Sequence, residues 1–144
     1  MKVLFDTSVL LASIIQEHPM HERALPWLQR AKARRLDFLV SAHSLAELYS
    51  VLSMLPTSPR IPPRTAWQLV HENVEKSARV VSLSATDYGT VIRELAEQGL
   101  TGGVVYDAVI ARAAQKAQAD RLLTLNPRDF QRVWPDAAGL IISP

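Results

Sequence analysis

Short apolar runs alternate with longer stretches of helical periodicity along the whole chain, and this alternation constrains the fold more than any other feature. Val3-Leu4-Phe5, Leu36 to Val40, Arg79 to Leu83, Arg121 to Leu125 and Leu140-Ile141-Ile142 have the length and composition of strands. Between them, Thr7 or Ser8 is placed to cap a helix through Val9 to Ile15, and residues 20 to 35 read as helical with a break or kink at Pro26, which has no N–H to give. Ser41 is placed to cap a third helix, in which Leu45, Leu48, Tyr49 and Leu52 recur on one face and are expected to pack on the sheet. Pro63 to Ala78, Thr86 to Gln98 ending near Gly99, Val104 to Ala119, and Pro127 to Val133 complete the helices. Pro56 to Pro63 carries four of the nine prolines and reads as a loop.

Strands separated by helices close most simply into an α/β sandwich of three layers, a mostly parallel central sheet of four to five strands with helices on both faces. At 144 residues and 48% hydrophobic content the chain can bury one proper core, and no repeat or composition shift divides it, so a single domain over residues 1–144 is expected.

Composition removes several chemistries. Without cysteine there is no disulfide scaffold, zinc-thiolate site or thiol nucleophile, so any metal must be held by oxygen or imidazole. Asp6 interrupts the stretch where a signal peptide needs its apolar segment, and no apolar run approaches the length of a membrane span; a cytoplasmic protein is expected. The net charge of +2 is mildly basic, with bases clustered at Arg30-Lys32-Arg34-Arg35, at Arg60 and Arg64, and at Arg112-Lys116-Arg121. Such clusters permit a polyanionic partner, although a solvated helix face explains each one equally well.

The acids are more informative than the bases. In open α/β sheets ligands bind at the carboxyl ends of the strands, and Asp6 falls at such an end, as do Asn126 and Asp129 after the strand through Leu125. Asp6 also suits a plain helix cap. Glu47 shares its helical stripe with Val51 and Met54, in a helix whose pattern is apolar nearly all round, where a carboxylate is costly unless something pairs with it. Asp107 leads a stripe of Ile110, Ala111 and Ala114 in the first turns of its helix, a position that the helix dipole alone would also favour. Three acids in such settings repel one another and raise one another's pKa, which is relieved when a cation neutralises them. Hard oxygen donors without cysteine suit Mg²⁺, or Mn²⁺ in its place, better than Zn²⁺. His18, His21, His43 and His71 show no partner in the pattern and read as structural or surface residues.

Four segments in order resemble the PIN domain, in particular the VapC toxin ribonucleases. They are Val3-Leu4-Phe5-Asp6-Thr7-Ser8-Val9-Leu10-Leu11, Ser41-Ala42-His43-Ser44-Leu45-Ala46-Glu47-Leu48, Tyr106-Asp107-Ala108-Val109-Ile110-Ala111, and Leu122-Leu123-Thr124-Leu125-Asn126-Pro127-Arg128-Asp129-Phe130. Each is weak alone; their order and spacing agree over almost the whole chain. The resemblance implies that Asp6, Glu47 and Asp107 are metal-site carboxylates. In the fourth segment PIN sequences often carry an acid where this chain has Asn126, and Asp129 then stands as the remaining carboxylate. Thr124 and the hydroxyl of Thr7 or Ser8 resemble residues that orient ligands and water. Also implied are a homodimer, a VapB-like antitoxin and an RNA substrate.

The mechanism expected of such a site is hydrolysis of an RNA phosphodiester by metal-activated water, leaving a 5′-phosphate and forming no covalent enzyme intermediate. No Ser-His-acid arrangement stands out, and Asp6-Thr7-Ser8 lacks the second aspartate of a haloacid-dehalogenase-like phosphatase. A receiver domain would need a phosphoacceptor aspartate ending a middle strand and a lysine ending a late one; Asp37 lies inside its strand and no lysine follows Leu125. Two other readings share the fold: a PIN nuclease of RNA processing without an antitoxin, and a non-catalytic RNA- or protein-binding module.

Overall fold

The computed structural model describes residues 1–144. Five strands, β1 (Lys2–Phe5), β2 (Asp37–Ser41), β3 (Arg79–Val81), β4 (Arg121–Leu123) and β5 (Ile141–Ile142), form one sheet in the order β3-β2-β1-β4-β5, and every neighbouring pair is parallel. The helices are α1 (Thr7–Ile14), α2 (His21–Lys32), α3 (Ala42–Met54), α4 (Pro63–Val70), α5 (Ala85–Glu97), α6 (Val104–Lys116) and α7 (Pro127–Val133).

Alternation along the strands divides the core into two layers. Val3, Phe5, Phe38, Val40 and Leu123 face one side, where they pack with Val9 and Leu10 of α1, Leu28 of α2, Leu48 and Leu52 of α3, and Val70 of α4. Leu4, Leu39, Val81, Leu122 and Ile141 belong to the opposite layer with Ile110, Ala113 and Ala114 of α6 and Phe130 of α7. Helix α5 packs on α6 through Val91, Leu95, Ala108 and Val109. A sheet covered on both faces explains why its strands read as continuous apolar runs.

Strand order reverses between β1 and β4: the chain moves outward from β1 to β2 and β3, then returns to β4 on the other side. At such a switch point the loops leaving neighbouring strands part to opposite faces and open a crevice at the carboxyl ends. Asp6 directly follows β1 and Thr124 directly follows β4.

Several local expectations need correction. The cap of α1 is Asp6 itself, whose side chain accepts from the Thr7 N–H, so neither Thr7 nor Ser8 supplies it. Pro26 neither breaks nor interrupts α2, because the proline is exposed while Ala24, Leu28 and Ala31 bury the helix's other side. Helix α3 is not buried all round: Tyr49 is 40% and Met54 65% exposed, and only Ser44, Leu48 and Leu52 are fully covered. The helix after Pro63 ends at Val70 and widens into a π-helical turn over His71–Glu75. Ser41 caps α3 as expected, accepting from the His43 N–H, and Gly99 takes a left-handed φ of 68° just beyond α5, where a Cβ would be strained. No helix is long and apolar enough to cross a membrane.

Candidate active site

Asp6 is the most firmly held of the acids. Its Oδ1 accepts from the Thr7 N–H at 2.8 Å, and its Oδ2 accepts from Ser8 Oγ at 2.7 Å and from Thr124 Oγ1 at 2.8 Å. Ser8 Oγ in turn accepts from the Leu125 N–H at 3.1 Å, and Thr124 Oγ1 accepts from the Asn126 N–H at 3.0 Å. The β1 and β4 ends are therefore laced together around one carboxylate. Burial pushes the Asp6 carboxyl above its ordinary value, against the lowering effect of Ser8, Thr124 and the Thr7 N–H, and Glu47 raises it further.

Asp107 lies in the first turn of α6. Burial, followed by the charges of Asp6, Asp129 and Glu47, raises its pKa to about 6, and Arg132 opposes the shift. The four acids thus occupy one electrostatic neighbourhood although they come from four separate elements. Glu47, on α3, is one-third exposed and its Oε2 is hydrogen-bonded to His43 Nε2 at 2.9 Å. Asp129 is exposed in the first turn of α7 and borders an open cleft of about 370 Å³ shared with Leu125, Asn126, Pro127 and Arg128.

No three histidine, aspartate or glutamate side chains are grouped closely enough to hold a metal ion as they stand. The donor set nevertheless fits a hard divalent cation. Mg²⁺ keeps several waters and takes only one or two carboxylates directly, completing its shell with substrate phosphate, so it needs spaced carboxylates rather than a tight cage. Mutual repulsion that raises Asp107 to about 6 is relieved by positive charge placed among the four. A larger cavity of about 440 Å³, bordered by Lys2, Arg34, Asp37 and Arg79, lies at the amino ends of the strands, the far end of the sheet from these acids.

The supporting polar residues separate into two kinds. Ser8 and Thr124 hold Asp6 directly, whereas Asn126 is exposed and contributes only its backbone N–H. Thr7 gives its N–H and leaves its hydroxyl buried without a hydrogen-bond partner. Two features went unread in the sequence. His43 and His71 are not unpartnered, since each stands four residues before a glutamate, Glu47 and Glu75, a spacing that brings side chains together. Asp87 was passed over although Ser84-Ala85-Thr86-Asp87 has the spacing of a capping box, and it forms one. Its carboxylate also takes Arg112 at 3.2 Å and Lys116 at 2.9 Å, so two bases expected to serve a polyanion are engaged within the fold.

The PIN-domain family model matches residues 3–134. Two relatives from Mycobacterium tuberculosis are similar over most of their length. Ribonuclease VapC27 of strain ATCC 25618 / H37Rv is 35% identical over 115 residues, 80% of this chain and 78% of the relative. Ribonuclease VapC40 of strain CDC 1551 / Oshkosh is 37% identical over 128 residues, 89% and 87% respectively. Among solved structures, VapBC2 from Rickettsia felis, bound to a DNA fragment from their promoter, superposes with a TM-score of 0.66 at 21% identity over 100% of this chain and 99% of that one. Mycobacterium tuberculosis VapC20, described as a sarcin-ricin loop cleaving toxin, gives 0.63 at 18% identity over 83% and 86%. These last two likenesses are of fold. With its family match spanning nearly the whole chain and its relatives above one-third identity, the protein belongs to the PIN-domain family and, within it, to the VapC ribonucleases.

Proposed function

We propose that the protein is a divalent-metal-dependent endoribonuclease, the toxin of a VapBC-type pair, which hydrolyses RNA phosphodiester bonds at the carboxyl end of its sheet. The observation that carries this reading is the placement of Asp6, held by Ser8 and Thr124 at the β1–β4 switch point, in one electrostatic neighbourhood with Glu47, Asp107 and Asp129. Carboxylates that act on one another at a cleft are characteristic of functional sites.

Asp6, Glu47, Asp107 and Asp129 would hold Mg²⁺, or Mn²⁺ in its place. When bound, the ion supplies Lewis acidity to the phosphate and makes water a nucleophile at neutral pH. The chain does the rest. Ser8 and Thr124 fix the Asp6 carboxylate in one orientation, so little reorganisation is needed when substrate arrives. His43 fixes Glu47 in the same way. Arg128, beside the cleft, and Arg132, near Asp107, place cationic groups where an RNA backbone would cross the acids. Hydrolysis there would place the hydroxyl of a water on the phosphorus to give a 5′-phosphate, its proton passing through solvent to the departing 3′-oxygen to give a 3′-hydroxyl, with no covalent enzyme species.

The VapC relatives and the VapBC2 complex support a VapB-like antitoxin as partner. Exposed Tyr49 and Met54 of α3 and Trp67 of α4 offer apolar surface for it or for a second copy in a homodimer. A cytoplasmic site of action is part of the same proposal. The test is cleavage of total cellular RNA by purified protein in Mg²⁺, in EDTA, and by Asp107→Asn. Discrete products that require Mg²⁺ and vanish in the variant are expected. Absence of cleavage, or products that persist in EDTA and in the variant, would overturn the reading.

A further inference from the structure

Tyr106 is an exposed aromatic residue placed where few proteins leave one. It immediately precedes Asp107 in the first turn of α6 and remains 53% exposed. Its ring is stacked on the imidazole of His43, with centroids 5.2 Å apart and planes 3° from parallel. His43 sits in the first turn of α3 and is bonded through Nε2 to Glu47 Oε2. The pair thus bridges the amino ends of two helices, and each ring adjoins one of the four acids: Tyr106 through the chain, His43 through a hydrogen bond.

Neither ring is needed to fill the core. His43 is one-fifth exposed by side chain, and Tyr106 belongs to none of the three buried clusters. Tyr49 on α3 and Tyr88 on α5 are also exposed, at 40% and 42%, while the tryptophans make contacts elsewhere. Trp27 packs against the α1–α4 core and lies under the Arg30 guanidinium, Trp134 packs in the opposite layer, and Trp67 of α4 stacks on His71. Tyr106 and His43 form a stacked aromatic shelf, of which His43 is bonded to Glu47 and Tyr106 is next to Asp107 in the chain.

We propose that Tyr106, braced by His43, is a stacking platform for one unpaired RNA base beside the scissile phosphate. Stacking suits this place because the face of every base is a π surface while a paired base in a helix has both faces covered. The two functions divide along the cleft. Carboxylates and arginines engage the backbone, which carries no sequence, and the shelf requires that a base be turned out of its helix. The glutamate bond gives the shelf a fixed position relative to the reacting phosphate. Tyr106 is therefore a substrate-positioning residue, and the proposal rests on the nuclease reading for its placement of the phosphate.

The experiment measures binding and cleavage separately. Binding of a short unstructured oligoribonucleotide is followed by fluorescence anisotropy in Mg²⁺ in an Asp6→Asn background, so that the RNA stays intact, with Tyr106, Tyr106→Ala and Tyr106→Phe compared. Tyr106→Ala is expected to weaken binding about tenfold, the size of one lost base–aromatic contact, and Tyr106→Phe to bind as the parent. The same oligonucleotide with single abasic positions is expected to show one position at which parent and Tyr106→Ala become equal. In the otherwise unaltered enzyme, Tyr106→Ala is expected to raise KM far more than it lowers kcat, with an unchanged melting temperature. Equal affinity of Tyr106→Ala and parent, or a loss that no abasic position erases, would overturn the platform. An unaltered enzyme that cuts no RNA while the stacking signature persists would instead count against the nuclease reading and leave the platform standing.

Discussion

Thr124 Oγ1 donates to Asp6 Oδ2 at 2.8 Å across 118 residues of sequence, and both atoms are buried. The bond joins the two strand ends on either side of the switch point, so that the position of the Asp6 carboxylate depends on the pairing of β1 with β4. Their register, Leu4 opposite Leu122 and Phe5 opposite Leu123, brings the residues after each strand level with one another. A fold-level feature is in this way converted into the orientation of one carboxylate oxygen.

Thr124→Val keeps the shape of the side chain and removes this donor. A hydrogen bond to a buried charged group contributes about 1.5–3 kcal/mol, and Ser8 still serves the same oxygen, so a loss of about 1–2 kcal/mol is expected. Urea denaturation with an unchanged m-value measures it. RNA cleavage should fall with it through kcat, because the carboxylate loses one of the groups that hold it in place.

Asp107 should make the metal-free protein more stable in mild acid than at neutrality. Its pKa is raised to about 6 in the folded state from an ordinary value near 3.8 when unfolded. Between those values the folded chain binds more protons, so stability rises as pH falls from above 6 toward 4. Half-exposure screens the effect to about 1 kcal/mol. Asp107→Asn should shrink this slope to the part that the raised carboxyl of Asp6 contributes, raise the melting temperature of the metal-free protein at pH 7.5, and eliminate cleavage. A melting series over pH in EDTA, for both proteins, provides the check.

Asp87 carries the opposite dependence. Lys116, the Ser84 N–H and hydroxyl, and Arg112 hold its carboxyl well below the usual carboxylate range. The stabilisation is complete above pH 4 and is lost as pH falls further toward the depressed value, so Asp87→Asn should flatten the acid limb of the stability curve. The same carboxylate fastens α5 to α6, since Ser84 caps the first and Arg112 and Lys116 belong to the second. Ser84→Ala removes the cap oxygen and should cost about 1 kcal/mol. Neither change touches the four acids, and RNA cleavage at pH 7 should persist in both.

Strand runs and helix periodicity made the layered fold legible because each strand is covered on both faces and each helix on at least one. Pro127 at the first turn of α7 and Ser41 as the cap of α3 were readable for the same kind of local reason. Burial around α3 was not. Tyr49 falls on the apolar stripe by spacing but ends 40% exposed, since which neighbour covers a helix flank is decided by tertiary packing. Asp6, Asp107 and Asp129 are legible at strand or helix ends and Glu47 on its stripe within α3, and their mutual repulsion follows from those settings; which strand ends adjoin depends on strand order. The order β3-β2-β1-β4-β5 puts Asp6 beside Thr124, and the sequence pattern is compatible with other parallel orders. His43 and Asp87 were within reach of local rules, through an i,i+4 pairing and a capping-box spacing, and were obscured because each residue was weighed alone.

Asp6, Glu47, Asp107 and Asp129 would together hold the proposed divalent cation, one or two of them directly and the others through water. Equilibrium binding of Mn²⁺, read by electron paramagnetic resonance alongside single-turnover cleavage of RNA, tests it most directly in the unaltered protein and in Asp6→Asn, Glu47→Gln, Asp107→Asn and Asp129→Asn. The account predicts that every substitution weakens Mn²⁺ binding at least several-fold and lowers cleavage in parallel, with Asp6→Asn and Asp107→Asn losing most. Mn²⁺ bound equally well by Asp6→Asn and Asp107→Asn, or cleavage that proceeds at full rate without a bound ion, would contradict it.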